Sequence, residues 1–264
     1  MLVLKQLTKT FPVGGGSVKT AVSDVNLTIP TGQFVTVIGS NGAGKSTLLN
    51  LISGRHWPDY GSIELNGVDI TAWGEHRRAA YIGRVFQDPL QGTAGSMTVE
   101  ENLSIAECRG RRRSLGRGVT RARRERYKAL LAQLELGLEH RLKTPVAELS
   151  GGQRQSLSLI MATMTRPSLL LLDEHTAALD PKTALQVLAL TRRVVSEYGL
   201  TTLMVTHNLE HALLMGDRTI MMHEGQIVLD VAGAERAGMT VSDLLERFTR
   251  TRGERIVDER LLLG

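Results

Sequence analysis

The segment Gly39-Ser40-Asn41-Gly42-Ala43-Gly44-Lys45-Ser46-Thr47 brings three glycines, a lysine and three hydroxyls together within nine residues. Glycines let successive backbone N–H groups turn inward as a nest for anionic oxygens. Residues 33–38 before it are apolar and β-branched, and read as a strand. After it, Leu48, Leu49, Leu51 and Ile52 have helical spacing, ended by Gly54. Strand, glycine loop and helix start in that order add the positive end of a helix dipole to the nest. The chemistry this suits is the binding of a nucleoside triphosphate. Lys45 places a point charge on the outer phosphates, and Ser46 offers its hydroxyl to a magnesium ion.

Two further segments can act on such a ligand. Residues 169–172 are four leucines that read as a short buried strand, with Asp173 and Glu174 at its carboxyl end, where α/β sheets place ligands. Asp173 can join a magnesium shell, and Glu174 can orient or deprotonate an attacking water. Adjacent acids at a strand end can instead cap a helix, but the next helix starts at Pro181, with Asp180 better placed to cap it. Ser150-Gly151-Gly152-Gln153 precedes another helical pattern. Ser150 can cap it, and the amides that follow form a second anion nest.

Positioning these groups requires an α/β core. Residues 2–7, 22–29, 61–65, 82–86, 201–205, 218–223 and 226–231 read as further strands, and residues 14–17 as a flexible turn between the first two. From about 88 to 167 the strand signal vanishes. Thr98 and Glu101 form a capping box that opens a helix through Cys108. Residues 120–136 and 153–164 read as two more helices, and 182–198, 209–215 and 240–248 as helices of the resumed core.

Composition narrows the class. The 264 residues are 42% hydrophobic and 22% charged, as in a soluble globular protein with one large domain. No apolar run approaches the ~18 residues that span a bilayer, and the first residues lack a signal-peptide layout. The single cysteine, Cys108, suits a reducing compartment and a packing role. The chain is therefore expected in the cytosol unless another subunit carries it to a membrane. Net charge is +5, and the excess is concentrated: nine arginines and one acid, Glu125, fall within 109–126. Such a run can form a solvated helical face, or meet nucleic acid, anionic lipid or an acidic partner.

On these motifs, in this order, residues 1–235 resemble the ATP-binding subunits of ABC transporters. The resemblance implies an α/β P-loop NTPase fold, RecA-like, with a mainly parallel sheet, an antiparallel β subdomain and an inserted helical subdomain near 88–167. It implies one domain over 1–248 and a charged tail over 249–264. By the same likeness residues 39–47 are the Walker A loop, residues 149–153 the signature and residues 169–173 Walker B. Phe11 stacks on adenine, and Gln87 bridges the metal and the membrane partner. Glu174 is the catalytic glutamate, residues 178–180 join the two sites, and His207 is the switch histidine. ATP and Mg²⁺ are the implied cofactors. Two copies pair head to tail, so that each ATP lies between residues 39–47 of one and Ser150, Gly151, Gly152 and Gln153 of the other.

A narrower likeness is carried by residues 37–45, 83–89 and 173–176. They resemble ATPase subunits of bacterial importers for tryptophan or tyrosine. Such a subunit would sit peripherally on the cytoplasmic face of the inner membrane, bound to integral permease subunits and served indirectly by an extracytoplasmic solute-binding protein. Nucleic acid is not an expected partner. An exporter ATPase and a soluble ABC ATPase acting on nucleic acid or ribosomes are the alternatives. One departure stands out: the family usually has proline after the glutamate, and here His175 takes that place. Packing is the favoured role for His175, over retuning of the base beside it.

Overall fold

The computed structural model describes residues 1–111, 116 and 118–252. Arg112, Arg113 and Arg117 of the basic run, and the tail beyond residue 252, lie outside the described residues. In chain order come β1 (Leu2–Val13), β2 (Ser17–Ile29), β3 (Phe34–Ile38), α1 (Lys45–Ser53), β4 (Tyr60–Leu65), β5 (Val68–Asp69) and α2 (Glu75–Arg78). Next are β6 (Ile82–Val85), α3 (Val99–Glu107), α4 (Arg121–Ala132), α5 (Gly151–Thr163), β7 (Leu169–Asp173) and α6 (Pro181–Tyr198). Last come β8 (Thr202–Val205), α7 (Leu209–Met215), β9 (Arg218–His223), β10 (Gln226–Ala232), α8 (Gly233–Ala237) and α9 (Val241–Arg252). Among the described residues no helix is long and apolar enough to cross a membrane.

The chain divides into two compact units, Met1–Arg78 with the chain from Gly199 onward, and Ala79–Tyr198. The helical stretch expected at 88–167 thus falls in one unit with β6, β7 and α6. In the first unit an antiparallel sheet has the order β2-β1-β4-β5. The ladder of β1 and β2 continues through Phe11↔Lys19 and Val13↔Ser17, so both strands run beyond their expected limits to the turn at Gly15 and Gly16. In the same unit β3 lies parallel between β8 and β9, and β10 returns antiparallel beside β9. All five residues of β3 are buried. Leu244 of α9 packs into a core with Ile38, Leu209, Ala212 and Met221.

Arg78 organises the far end of α1. It is 1% exposed. Its Nη1 donates to the carbonyls of Leu51 and Ile52 at 2.7 and 2.9 Å, in the last turn of α1. Its Nε donates to Trp73 O at 2.8 Å and its Nη2 to Thr71 O at 2.9 Å. The two α1 carbonyls are among the groups a helix end leaves without intrahelical partners, and a cation suits the negative end of the dipole. Burial pulls the guanidinium down to about 10.

In the second unit β6 and β7 pair in parallel, from Ile82↔Leu169 to Val85↔Leu172. The Thr98 and Glu101 capping box is present at the start of α3. Helix α4 stops at Ala132, short of the expected 136, because Glu135 and Gly137 take left-handed φ values of 56° and 69°. Arginines of the basic run bind α4 to α3. Arg124 makes a bidentate pair with Glu100 (2.6 and 2.8 Å), while Arg123 and Arg126 both pair with Glu107. Tyr127, buried, donates its hydroxyl to the same Glu107 at 2.7 Å. Burial and that carboxylate push the phenol up to about 12. Arg109 donates to the Ala162 carbonyl at 3.3 Å. These arginines thus clamp helices within their own unit.

Candidate nucleotide site

In the first unit the chain leaves β3 into the glycine loop. Gly39 has φ 149°, and a Cβ there would overlap the Met222 carbonyl of β9, so only glycine fits. The loop is braced from behind. Ala43 O accepts from Gly225 N at 3.0 Å, and Gly225 O accepts from Ser23 N at 2.9 Å. Lys45 is 5% exposed. Its ammonium donates to the carbonyls of Gly39 (2.6 Å) and Ser40 (3.0 Å), spanning the loop from within. Asn41, Gly42 and Ser46 face solvent, and Ser40, Gly44 and Thr47 are half-buried. Helix α1 has no acid in its first turn. Its positive end is therefore left for an anion.

Phe11 lies on β1 with its ring edge-on to His56 (centroids 5.4 Å, interplanar angle 73°). Lys9 Nζ stands 5.6 Å from the same ring centroid. Asp59 holds this corner, accepting from Lys9 Nζ at 2.8 Å and from the Thr10 amide and hydroxyl at 2.7 Å. The Lys9 and Thr10 hydrogen bonds draw the Asp59 carboxyl down to about 2. His207 follows β8. The register Val37↔Val205 and the bond from Thr206 N to Val37 O (3.1 Å) bring His207 and Gly39 out at the same carboxyl end of neighbouring strands.

The second unit carries the acids. Asp173 ends β7, and Arg84 of β6 donates to its Oδ2 at 2.8 Å. Glu174 has φ 43°, a left-handed value that a long side chain seldom adopts. Such strain gathers at functional positions because the surroundings hold it there. The turn is closed by Ala177 N donating to Glu174 O at 3.0 Å. His175 is 2% exposed, with Nε2 3.2 Å from Thr191 Oγ1 on α6. Thr191 Oγ1 already donates its proton to Val187 O (2.8 Å), so the imidazole Nε2–H is the donor. This is the packing role favoured for His175. Asp180 caps α6 as expected, its Oδ1 accepting from Thr183 N at 3.1 Å.

Ser150 caps α5 in a reciprocal box with Gln153. Its Oγ accepts from Gln153 N at 3.3 Å, which leaves the hydroxyl hydrogen to be donated outward. The Gln153 side chain is engaged inside the unit. Its Oε1 accepts from Ser150 N and Arg141 Nη1, both 3.2 Å, and its Nε2 donates to Leu136 O at 3.1 Å. Gly152 is glycine for a local reason, since a Cβ there would overlap the Thr183 methyl. Gln87 is exposed, and the Phe86 carbonyl before it accepts from Gln155 Nε2 of α5 at 3.2 Å. A cavity of about 340 Å³ is lined by Gln87, Leu90, Gly151, Arg154 and Leu179 among others, so it joins three of the motifs.

The units thus assemble separate sets: Phe11, residues 39–47 and His207 in the first, and Gln87, residues 150–153, Asp173 and Glu174 in the second. Sequence reasoning missed Arg84, Arg141 and His56. Arg84 alone had a readable signal, a lone cation inside an apolar strand.

The donors also fit magnesium. Among the described residues no group of three or more His, Cys, Asp or Glu forms a protein cage for a metal. The first unit offers a hydroxyl (Ser46) and the second an amide (Gln87) and a carboxylate (Asp173); oxygen donors of these kinds suit a hard cation that keeps waters and binds through substrate phosphates.

Comparison with known proteins agrees with this chemistry. The ABC transporter family model matches residues 22–177. The tyrosine transport ATP-binding protein of Clostridioides difficile (strain R20291) is 50% identical over 248 residues, covering 94% of this chain and 98% of that protein. The methionine import ATP-binding protein MetN of Corynebacterium glutamicum is 36% identical over 84% of this chain, which spans 60% of MetN. The ATP-binding cassette MJ0796, solved as a dimer in a post-hydrolysis state with ADP and Pi, is 30% identical with a TM-score of 0.76, over 88% of this chain and 98% of that one. With a triphosphate-type loop, a strand-end acid pair and a capped glycine nest already in place, these likenesses assign the chain to the ABC transporter family, as an ATP-binding subunit that hydrolyses ATP.

Proposed function

We propose that this ATPase drives a bacterial importer of an aromatic amino acid, with tyrosine the first candidate. The observation that carries the reading is the 50% identity to a tyrosine transport ATP-binding protein across 98% of that protein's length. In this reading the subunit lies on the cytoplasmic face of the inner membrane, held there by permease subunits, and an extracytoplasmic binding protein delivers the solute to them. The test is uptake. Cells expressing the chain with its co-purifying permease should accumulate labelled tyrosine or tryptophan in an ATP-dependent manner. Efflux of these solutes, or co-purification with ribosomal RNA in place of a permease, overturns it.

The residue roles belong to the same proposal. Phe11 stacks on adenine, and the amides of residues 39–47 with Lys45 hold the phosphates. Ser46, Gln87 and Asp173 hold Mg²⁺, which when bound shields phosphate charge. Glu174 takes or orients the water's proton, and His207 contacts the terminal phosphate. Ser150 donates its hydroxyl, and Gly151 and Gly152 their amides, to the ATP held by a second copy, while Gln153 fixes the shape of that nest. Support comes from the acid-free start of α1 and from the capping geometry of Ser150. Hydrolysis then removes the group that joins the two copies, and the pair reopens.

A mixing experiment examines the shared seam. Lys45→Ala and Ser150→Arg homodimers should each be nearly inactive. Mixed in equal amounts, they should recover about a quarter of the wild-type rate, because half of randomly paired dimers are mixed and keep one intact seam. No recovery, with each variant still cleaving ATP alone, would sink the seam.

A further inference from the structure

We propose that Arg84 is a positioning residue for the carboxylate of Asp173, and through it for the metal that accompanies ATP. The inference rests on the reading above that Asp173 faces the magnesium shell. It begins with strand register. Arg84 of β6 pairs with Leu171 of β7 in a parallel ladder. One pleat period on, Asp173 returns to the same face, within reach of the arginine. The guanidinium takes up that geometry, with Nη2 2.8 Å from Oδ2 and the two side chains only 9% and 14% exposed.

The arginine is itself held. Its guanidinium lies over the ring of Phe86, 4.7 Å from the centroid. Phe86 is one pleat period from Arg84, and its carbonyl is fixed by Gln155 Nε2 at 3.2 Å. A planar cation set between a ring and a carboxylate restricts the rotation of that carboxylate more than a lysine would, since an ammonium has no plane to align. Held through Oδ2, Asp173 keeps Oδ1 as the oxygen for the metal's water shell. Outer partners of metal carboxylates act in this way, and their loss typically costs ~10- to 100-fold in metal affinity. A serine or an aliphatic residue would satisfy the strand equally well, so the β propensity of the segment does not account for arginine here.

The test reads metal dependence and not turnover. Binding of a fluorescent, non-hydrolysable ATP analogue to the full chain is titrated with Mg²⁺, and its affinity is measured separately in chelator. Arg84→Met should raise the Mg²⁺ concentration for half-maximal binding ~10- to 100-fold, with affinity in chelator unchanged. Arg84→Lys should fall between Met and wild type, and it decides the matter on the same criteria if Arg84→Met does not fold by circular dichroism. An unchanged Mg²⁺ requirement overturns the proposal and leaves the pair as packing. A lowered requirement also overturns it, making Arg84 a competitor of the metal. Asp173→Asn must raise the requirement in the same assay. If it does not, the metal reading of Asp173 has failed, a result distinguishable from failure of Arg84 alone.

Discussion

Glu174→Gln is expected to lower steady-state ATP turnover by about 10²- to 10⁴-fold, the span typical of a lost general base, while ATP binding persists. The amide keeps the size of the carboxylate but cannot take a proton. Its neighbours keep the backbone in place: the turn is closed by the Ala177 amide, and His175 is bonded to Thr191 on α6. The left-handed φ of 43° at Glu174 is therefore imposed from outside the residue and survives the substitution. The variant should accumulate as an ATP-bound dimer, seen as a nucleotide-dependent doubling of mass by light scattering, while phosphate release falls. Full turnover in Glu174→Gln would remove the glutamate from the chemistry and move the search to His207 or Gln87.

The second large effect is structural. Arg78→Met should destabilise the chain by about 3–5 kcal/mol, since several buried carbonyls lose a charged donor at about 1–3 kcal/mol each. Four hydrogen bonds reach four different carbonyls from this one guanidinium, and a methionine removes all four while Leu51 O keeps only the longer bond from Gly54 N (3.2 Å). Two of the carbonyls end α1, the helix whose other end is proposed to meet the phosphates, so nucleotide affinity should weaken along with the thermal midpoint. Arg78→Lys should recover part of the loss, since an ammonium reaches fewer of these oxygens. Thermal unfolding without nucleotide measures it. A loss below about 1 kcal/mol, the range of ordinary surface changes, would show that the neighbouring backbone relaxes onto water.

Those two residues mark the limits of what the sequence disclosed. Glu174 was legible as a candidate because its signal is local: an acid pair directly after the four leucines of β7. The glycine loop, the α3 capping box and the Ser150 and Asp180 caps were legible for the same reason, since each depends on spacings of a few residues. Arg78 was not, because it serves carbonyls that tertiary folding brings to it, and carbonyls carry no sequence signal. Arg84 stands out as a lone cation in an apolar strand, but its partner follows from the register of β6 against β7, which no local pattern announces. The early end of α4 shows a milder failure. Residues 133–136 keep helical periodicity, but Glu135 turns left-handed where Leu136 O accepts from Gln153, so a nonlocal contact outweighs propensity. The basic run left several readings open, and no spacing within it points to the Glu100, Glu107 and Ala162 carbonyl acceptors that four of its described arginines bind.

The brace behind the glycine loop reaches beyond the site. Ala43 leans on Gly225, and Gly225 on Ser23, so a two-residue bend between β9 and β10 is wired by main-chain atoms to the cradle nearly two hundred positions earlier. Lengthening that bend by a single residue would detune the grip on the fuel without altering any side chain that meets it. Drift of function in such a subunit can therefore begin at a distant corner, where no motif search would look.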